Sequence, residues 1–142
     1  MSWAGKKNII DRFRGLLRKE QAPPALVPLS DKELRLLDRI TREWVNGKGY
    51  RMADRTVDTA AQRMGTTSIL LHRYCLQRMG KDFRTWRTEL RMEDAKQMLL
   101  EEPKTTASCI GRRVGVTDRS NFFRQFTAYT GSSPEQWRQS NL

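Results

Sequence analysis

Two stretches, Arg63-Met64-Gly65-Thr66-Thr67-Ser68 and Arg113-Val114-Gly115-Val116-Thr117-Asp118-Arg119, decide how this chain is read. Each places a glycine after an apolar residue and follows it with side chains that accept hydrogen bonds. Glycine takes the left-handed backbone that ends a helix, and Thr or Asp opens the next one. The spacing therefore predicts, twice, a short helix, a tight turn and a longer helix, which is a helix-turn-helix unit.

Working outward, the flanks repeat as well. Arg63-Met64-Gly65 recurs as Arg113-Val114-Gly115, and Thr67 recurs as Thr117. Further on, Arg73 matches Arg124, Cys75 matches Phe126, Gly80 matches Gly131, Trp86 matches Trp137 and Arg87 matches Arg138. The offset is 50 before the second turn and 51 after it, so the second copy has one extra residue in its turn or early in the helix that follows. One such pattern is weak evidence, but two in register are strong.

The elements follow from periodicity and caps. Ser30 to Glu33 has the form of a capping box, followed by Leu34, Leu37, Ile40, Thr41 and Trp44 at helical spacing, for about 16 residues. Residues 50–55 read as a loop. Short helices are expected over about 56–64 and 106–114. Longer ones are expected over 68–79 and 118–129, the latter capped by Thr117. Between the units, 83–101 is a long helix opened by Asp82, with Phe83, Trp86, Leu90, Ala95, Met98 and Leu99 turned inward. Ser133-Pro134-Glu135-Gln136 starts a last helix. The fold class expected is all-α, about seven helices, homeodomain-like: two helix-turn-helix subdomains (about 56–80 and 106–130) joined by a linker helix (83–101). A rigid linker of about 27 Å, at 1.5 Å per residue, is of the order of one DNA turn. The domain is expected over 30–142, preceded by a basic amphipathic segment and a Pro-rich linker over 1–29.

Composition narrows the partners. The 142 residues carry a formal charge of +11 and a pI near 10.4. A surplus of this size suits nucleic acid phosphate first and an anionic membrane surface second. Cys75 and Cys109 have no metal or disulfide spacing and read as buried apolar residues of a reducing cytoplasm. One histidine, no phosphate-binding glycine loop and no nucleophile turn argue against an enzyme. No cofactor or metal is expected. Residues 6–19 suit a membrane or protein surface, a second function that would add to DNA binding.

The stretch Gly115 to Phe126, with Gly131-Ser132-Ser133-Pro134-Glu135-Gln136-Trp137-Arg138, resembles the DNA-binding domain of the AraC/XylS transcription regulators. Trp86, Leu90-Arg91, Ala95-Lys96 and Met98-Leu99 fit the same pattern. The resemblance covers roughly residues 31–140. It implies double-stranded DNA as ligand, RNA polymerase as a partner and a bacterial source, with the oligomeric state left open. Departures are Ile110-Gly111 where the family has Ile-Ala, and Gly115-Val116 where it has Gly-Phe. Cys75-Leu76 and Phe126-Thr127 replace Phe-Lys pairs. Family members commonly carry a separate sensing or dimerisation domain, so the chain reads either as a short member or as the output domain of a larger, even membrane-associated, regulator.

Ser68, Ile69, His72 and Arg73 of the first unit are expected to read bases, as are Arg119, Ser120, Phe123 and Arg124 of the second, with Asn121 beside them. For His72 a solvated surface position stays open. For Phe123 a core position also stays open, and for Arg119 and Arg124 a phosphate contact. Thr56 and Thr106, at helix starts, and Arg87, Arg91, Arg112, Arg113 and Arg138 are expected at phosphates. Trp44, Trp86 and Trp137 read as core aromatics.

Overall fold

The structure, a computed structural model, describes residues 27–142. The basic stretch 6–19 and the expectations placed on it lie outside the described residues. Seven α-helices and one 3-10 turn are formed among the described residues: α1 (Asp31–Asn46), the 3-10 turn (Gly49–Arg51), α2 (Val57–Met64), α3 (Ser68–Met79), α4 (Phe83–Glu101), α5 (Ala107–Arg113), α6 (Arg119–Thr130) and α7 (Pro134–Asn141). The expected all-α architecture is therefore present. The chain forms two compact units. Among the described residues, the first contains 27–44 and Asp54–Trp86; the second contains Val45–Ala53 and Arg87–Leu142.

In the first unit, α1 opens on the expected capping box. The Glu33 N–H donates to Ser30 Oγ at 3.2 Å, and the Ser30 N–H donates to Glu33 Oε1 at 2.9 Å. Leu34, Leu37 and Thr41 form the buried face of this helix. They pack with Ala60 and Ala61 of α2 and with Leu71, Tyr74 and Cys75 of α3. The two alanines are fully buried and let the helix backbones approach. Trp44, Phe83 and Trp86 close the unit, with ring centroids 5.4–6.2 Å apart. Cys75 is fully buried, and burial, followed by the charge of Asp82, pushes its thiol up to about 12. It remains a neutral space-filler. Cys109, expected inward, is only half-buried.

In the second unit, Met92, Ala95, Met98 and Leu99 of α4 meet Ile110 of α5, Val114 just after it, and Phe122 and Phe126 of α6, with Trp137 against them. Gly111 has a specific reason to be glycine here. A Cβ at this position would lie 2.6 Å from Phe122 Cγ, so the Phe122 ring fills the space of the family's alanine methyl.

The loop expected over 50–55 is largely a docked segment. Tyr50 is buried and its hydroxyl donates to Asp94 Oδ2 at 3.1 Å. Arg51 grips the same carboxylate through Nε at 2.6 Å and Nη2 at 3.0 Å. Arg91 donates to the carbonyls of Tyr50 and Met52 at 2.6 and 2.7 Å. Burial pushes the Asp94 carboxyl up, but the Arg51 hydrogen bonds and charge, aided by Tyr50, outweigh it and hold it below its ordinary value of 3.8.

The two turns close identically. The Gly65 N–H donates to Gln62 O at 3.1 Å and the Thr66 N–H to Ala61 O at 2.9 Å; Gly115 to Arg112 O and Val116 to Gly111 O repeat both distances. Gly65 and Gly115 have φ of 84° and 106°, the left-handed region this closure needs. The caps that follow are Thr67 and Asp118. Thr117 is therefore not the cap expected, and α6 starts at Arg119. The carboxylate one residue later accepts the Asn121 N–H at 2.7 Å, which places the extra residue in the turn.

Asp94 is depressed in the folded chain, so its contribution is complete above the ordinary aspartate range and is lost as pH falls through the folded value. Asp94→Asn should cost about 1–3 kcal/mol at neutral pH. It should also flatten the acid limb of a stability profile measured by urea melts. Gly111→Ala should destabilise by about 1–3 kcal/mol of overpacking, less up to about 1 kcal/mol of helix propensity. The midpoint should fall at unchanged m-value.

Candidate nucleic-acid interface

Each unit presents the start of its longer helix to solvent, and the cap decides which residues stand there. Thr67 accepts the Leu70 N–H at 3.2 Å and sets Ser68, Ile69, His72 and Arg73 on the face opposite Tyr74 and Arg78. Ile69 is 59% exposed, more than any other large apolar residue among the described residues except Leu142, while Ser68, His72 and Arg73 are half-buried. An isoleucine held in water on a capped, basic helix suits an apolar contact such as a thymine methyl. Arg73 is already engaged: its Nε donates to Val27 O at 3.1 Å and its Nη2 to Pro28 O at 3.3 Å. The same arm is fixed by the Leu29 N–H on Gln77 Oε1 at 2.9 Å and by the buried Leu29 side chain.

In the second unit, Arg119, Ser120 and Arg124 are exposed. Phe123 is half-buried against the core and 6.0 Å from Phe122, edge to face. The Arg119 guanidinium lies over the other part of that ring, 4.2 Å from its centroid. Phe123 thus packs on the core, one of the two readings the sequence left open for it, and also forms the platform that restricts Arg119. Arg124 bonds Asn121 Oδ1 along the same face.

The expected phosphate ligands divide. Thr56 and Thr106 cap α2 and α5, taking the Thr59 and Cys109 N–H groups at 3.2 Å. Arg112 is exposed. Arg113 is ion-paired to Glu102 at 2.6 Å, and this bond first of all holds the Glu102 carboxyl below its ordinary range. Arg87, Arg91 and Arg138 are corrections. Arg87 and Arg91 are buried, Arg91 on the carbonyls already described. Arg138 donates to Leu99 O at 2.9 Å in the last turn of α4, and to Glu102 O at 3.3 Å and Thr105 O at 2.7 Å in the loop that follows. The missed residues, Arg51 and Asp94, had a sequence signal: Arg87, Arg91, Asp94 and Met98 share one face of α4, and charges on an inward face need internal partners.

A tandem helix-turn-helix with this surface is a nucleic-acid-binding architecture. The family model described as "Helix-turn-helix domain" matches residues 60–140, and the chain belongs to that family, in its AraC type. It is 31% identical over 104 residues to the arabinose operon regulatory protein of Escherichia coli K12, and 33% identical over 89 residues to that of Salmonella typhimurium LT2. These alignments take in 72% and 61% of this chain but only 35% and 31% of the relatives, so the chain spans about a third of their length. Among solved structures it is similar to the C-terminal domain of AraT, a response regulator from Geobacillus stearothermophilus. The TM-score is 0.63 at 26% identity, covering 82% of this chain and 90% of that one. The C-terminal domain of the two-component response regulator yesN from Fusobacterium nucleatum shares the fold at TM-score 0.59 and 23% identity, covering 77% and 99%. The family is a DNA-binding one and not an enzyme family. No helix among the described residues is long and apolar enough to cross a membrane.

Arg138→Ala should cost about 1–3 kcal/mol of folding stability by removing charged hydrogen bonds. Duplex affinity, corrected for the folded fraction in the same titration, should stay unchanged; a loss beyond that correction would return Arg138 to the phosphates.

Proposed function

We propose that this chain is the sequence-reading part of a bacterial transcription regulator, and that α3 and α6 each enter a major groove of one duplex. The observation that carries this is the matched pair of capped helices. Their exposed starts hold Ser68, Ile69, His72 and Arg73 in one unit and Arg119, Ser120 and Arg124 in the other. In this reading Arg119, steadied by Phe123, bonds a guanine edge. Arg73 reads a base only after releasing Val27 and Pro28. Arg112 and the helix starts at Thr56 and Thr106 hold phosphates. RNA polymerase is the downstream partner in this reading, and the cytoplasm its place.

The test is selection of bound duplexes from a random pool, followed by anisotropy titrations. Sites should enrich, and affinity should fall with salt with a slope near −0.9 per phosphate neutralised. Arg119→Ala should cost about 1–3 kcal/mol at the selected site and less elsewhere. Phe123→Ala should lose part of the same energy non-additively, since it removes the surface on which Arg119 rests. A pool from which nothing enriches refutes sequence reading.

A further inference from the structure

The first helix carries a charged surface that groove reading does not use. At 100° per residue, Lys32, Arg35, Arg39 and Arg42 of α1 fall within roughly 80° of one another, centred roughly 150° from the buried Leu34, Leu37 and Thr41 face. All four are exposed, and none forms an ion pair with a carboxylate among the described residues. Arg42 lowers the Asp38 carboxyl through its charge, but that carboxylate is already bonded by Arg78 and Tyr74. Leu36, 46% exposed, borders the stripe.

The position of the stripe decides its partner. α1 meets α3 through Asp38 and Thr41, bonded to Tyr74 and Arg78. Those α3 residues lie roughly 170° around the helix from Ile69, His72 and Arg73. When that face of α3 is in a groove about 8.5 Å deep, α1 stands one interhelical distance, about 8–10 Å, behind it. The stripe, centred roughly 110° around α1 from the Asp38 and Thr41 face that meets α3, then points to the side of the groove and slightly away from it. This placement rests on the proposed reading face of α3. We infer that the Lys32–Arg35–Arg39–Arg42 stripe is a docking surface for an acidic protein segment that also carries an apolar side chain, bound while α3 holds DNA. Charge complementarity selects the acid, and the bordering Leu36 gives an apolar side chain of a protein segment a place to rest. One exposed leucine is too little apolar surface for a helix to lie in a lipid interface.

The experiment uses the full chain at about 0.15 M salt, where screening extends about 8 Å. The probes are a labelled peptide of repeated Asp-Glu-Leu, a selected duplex, and vesicles containing phosphatidylserine. The variant neutralises all four cations together: Lys32→Gln, Arg35→Gln, Arg39→Gln and Arg42→Gln. Glutamine matches Lys and Arg in helix propensity, and the sites are exposed, so an unchanged melt should confirm the fold. The peptide should shift the α1 amides in NMR spectra, bind together with the duplex, and lose about tenfold in affinity on the variant, a change of about 1.4 kcal/mol. Duplex affinity should change less than about threefold. Displacement of the peptide by duplex, or a tenfold loss of duplex affinity in the variant, would overturn the inference and assign the stripe to DNA. Vesicle binding that needs the four cations, with the peptide inert, would overturn it in favour of lipid. If duplex leaves α3 unshifted while the peptide still shifts α1, groove reading fails and the docking surface stands.

Discussion

Every short helix has to find partners for the backbone groups left at its ends, and this constraint organises the whole chain. Seven helices among the described residues mean fourteen ends, each with up to four orphan donors or acceptors. Ser30, Thr56, Thr67, Thr106, Asp118 and Ser133 answer at the starts. Gly65 and Gly115 answer at two of the stops, by the same pair of hydrogen bonds. At the end of α4, Arg138 adds a bond to Leu99 O and ties the following loop by its bonds to Glu102 O and Thr105 O. The helix-turn-helix is what results when a stop and a start are compressed into three or four residues.

That constraint also sorts the arginines. A basic chain invites the view that its cations are all available to phosphate, yet several are committed inside. Arg51 and Arg91 hold the 45–53 segment within the second unit through Asp94 and the carbonyls of Tyr50 and Met52. Arg78 braces α3 on α1 through Asp38, whose carboxyl is held low chiefly by that bond and next by Tyr74. What remains exposed is a smaller set, concentrated on the starts of the long helices and on the outer face of α1. Net charge therefore bears on long-range attraction, while local packing decides which charges do specific work.

The two copies have diverged in what they offer. In the second, Phe123 serves the core with one side and Arg119 with the other, so a cation is held in place before any ligand arrives. In the first, Arg73 is bonded to the arm that leads into α1. The sequence equivalence of the two helices does not carry over to equal readiness of their side chains. Gly111 shows the same point for the core. A departure from the family pattern becomes a fit once Phe122 is seen to occupy the missing methyl's place.

Local chemistry was legible from the residues alone. Caps, glycine stops, helical periodicity and the offset repeat depend on neighbours within four or five positions, so α1 and the tandem units could be placed without a structure. So could the buried Leu37, Phe122 and Phe126. The shift from Thr117 to Asp118 was within reach of the same rules but ambiguous, because two capping residues stand side by side. Tertiary structure alone decided the rest: that Tyr50 and Arg51 dock on Asp94, that Arg138 ties down the loop after α4, and that Arg73 meets Val27 and Pro28. Those contacts join positions 33 to 46 residues apart. A long flexible cation can satisfy any anion or carbonyl it reaches, and which one it reaches is set by packing rather than by spacing along the chain.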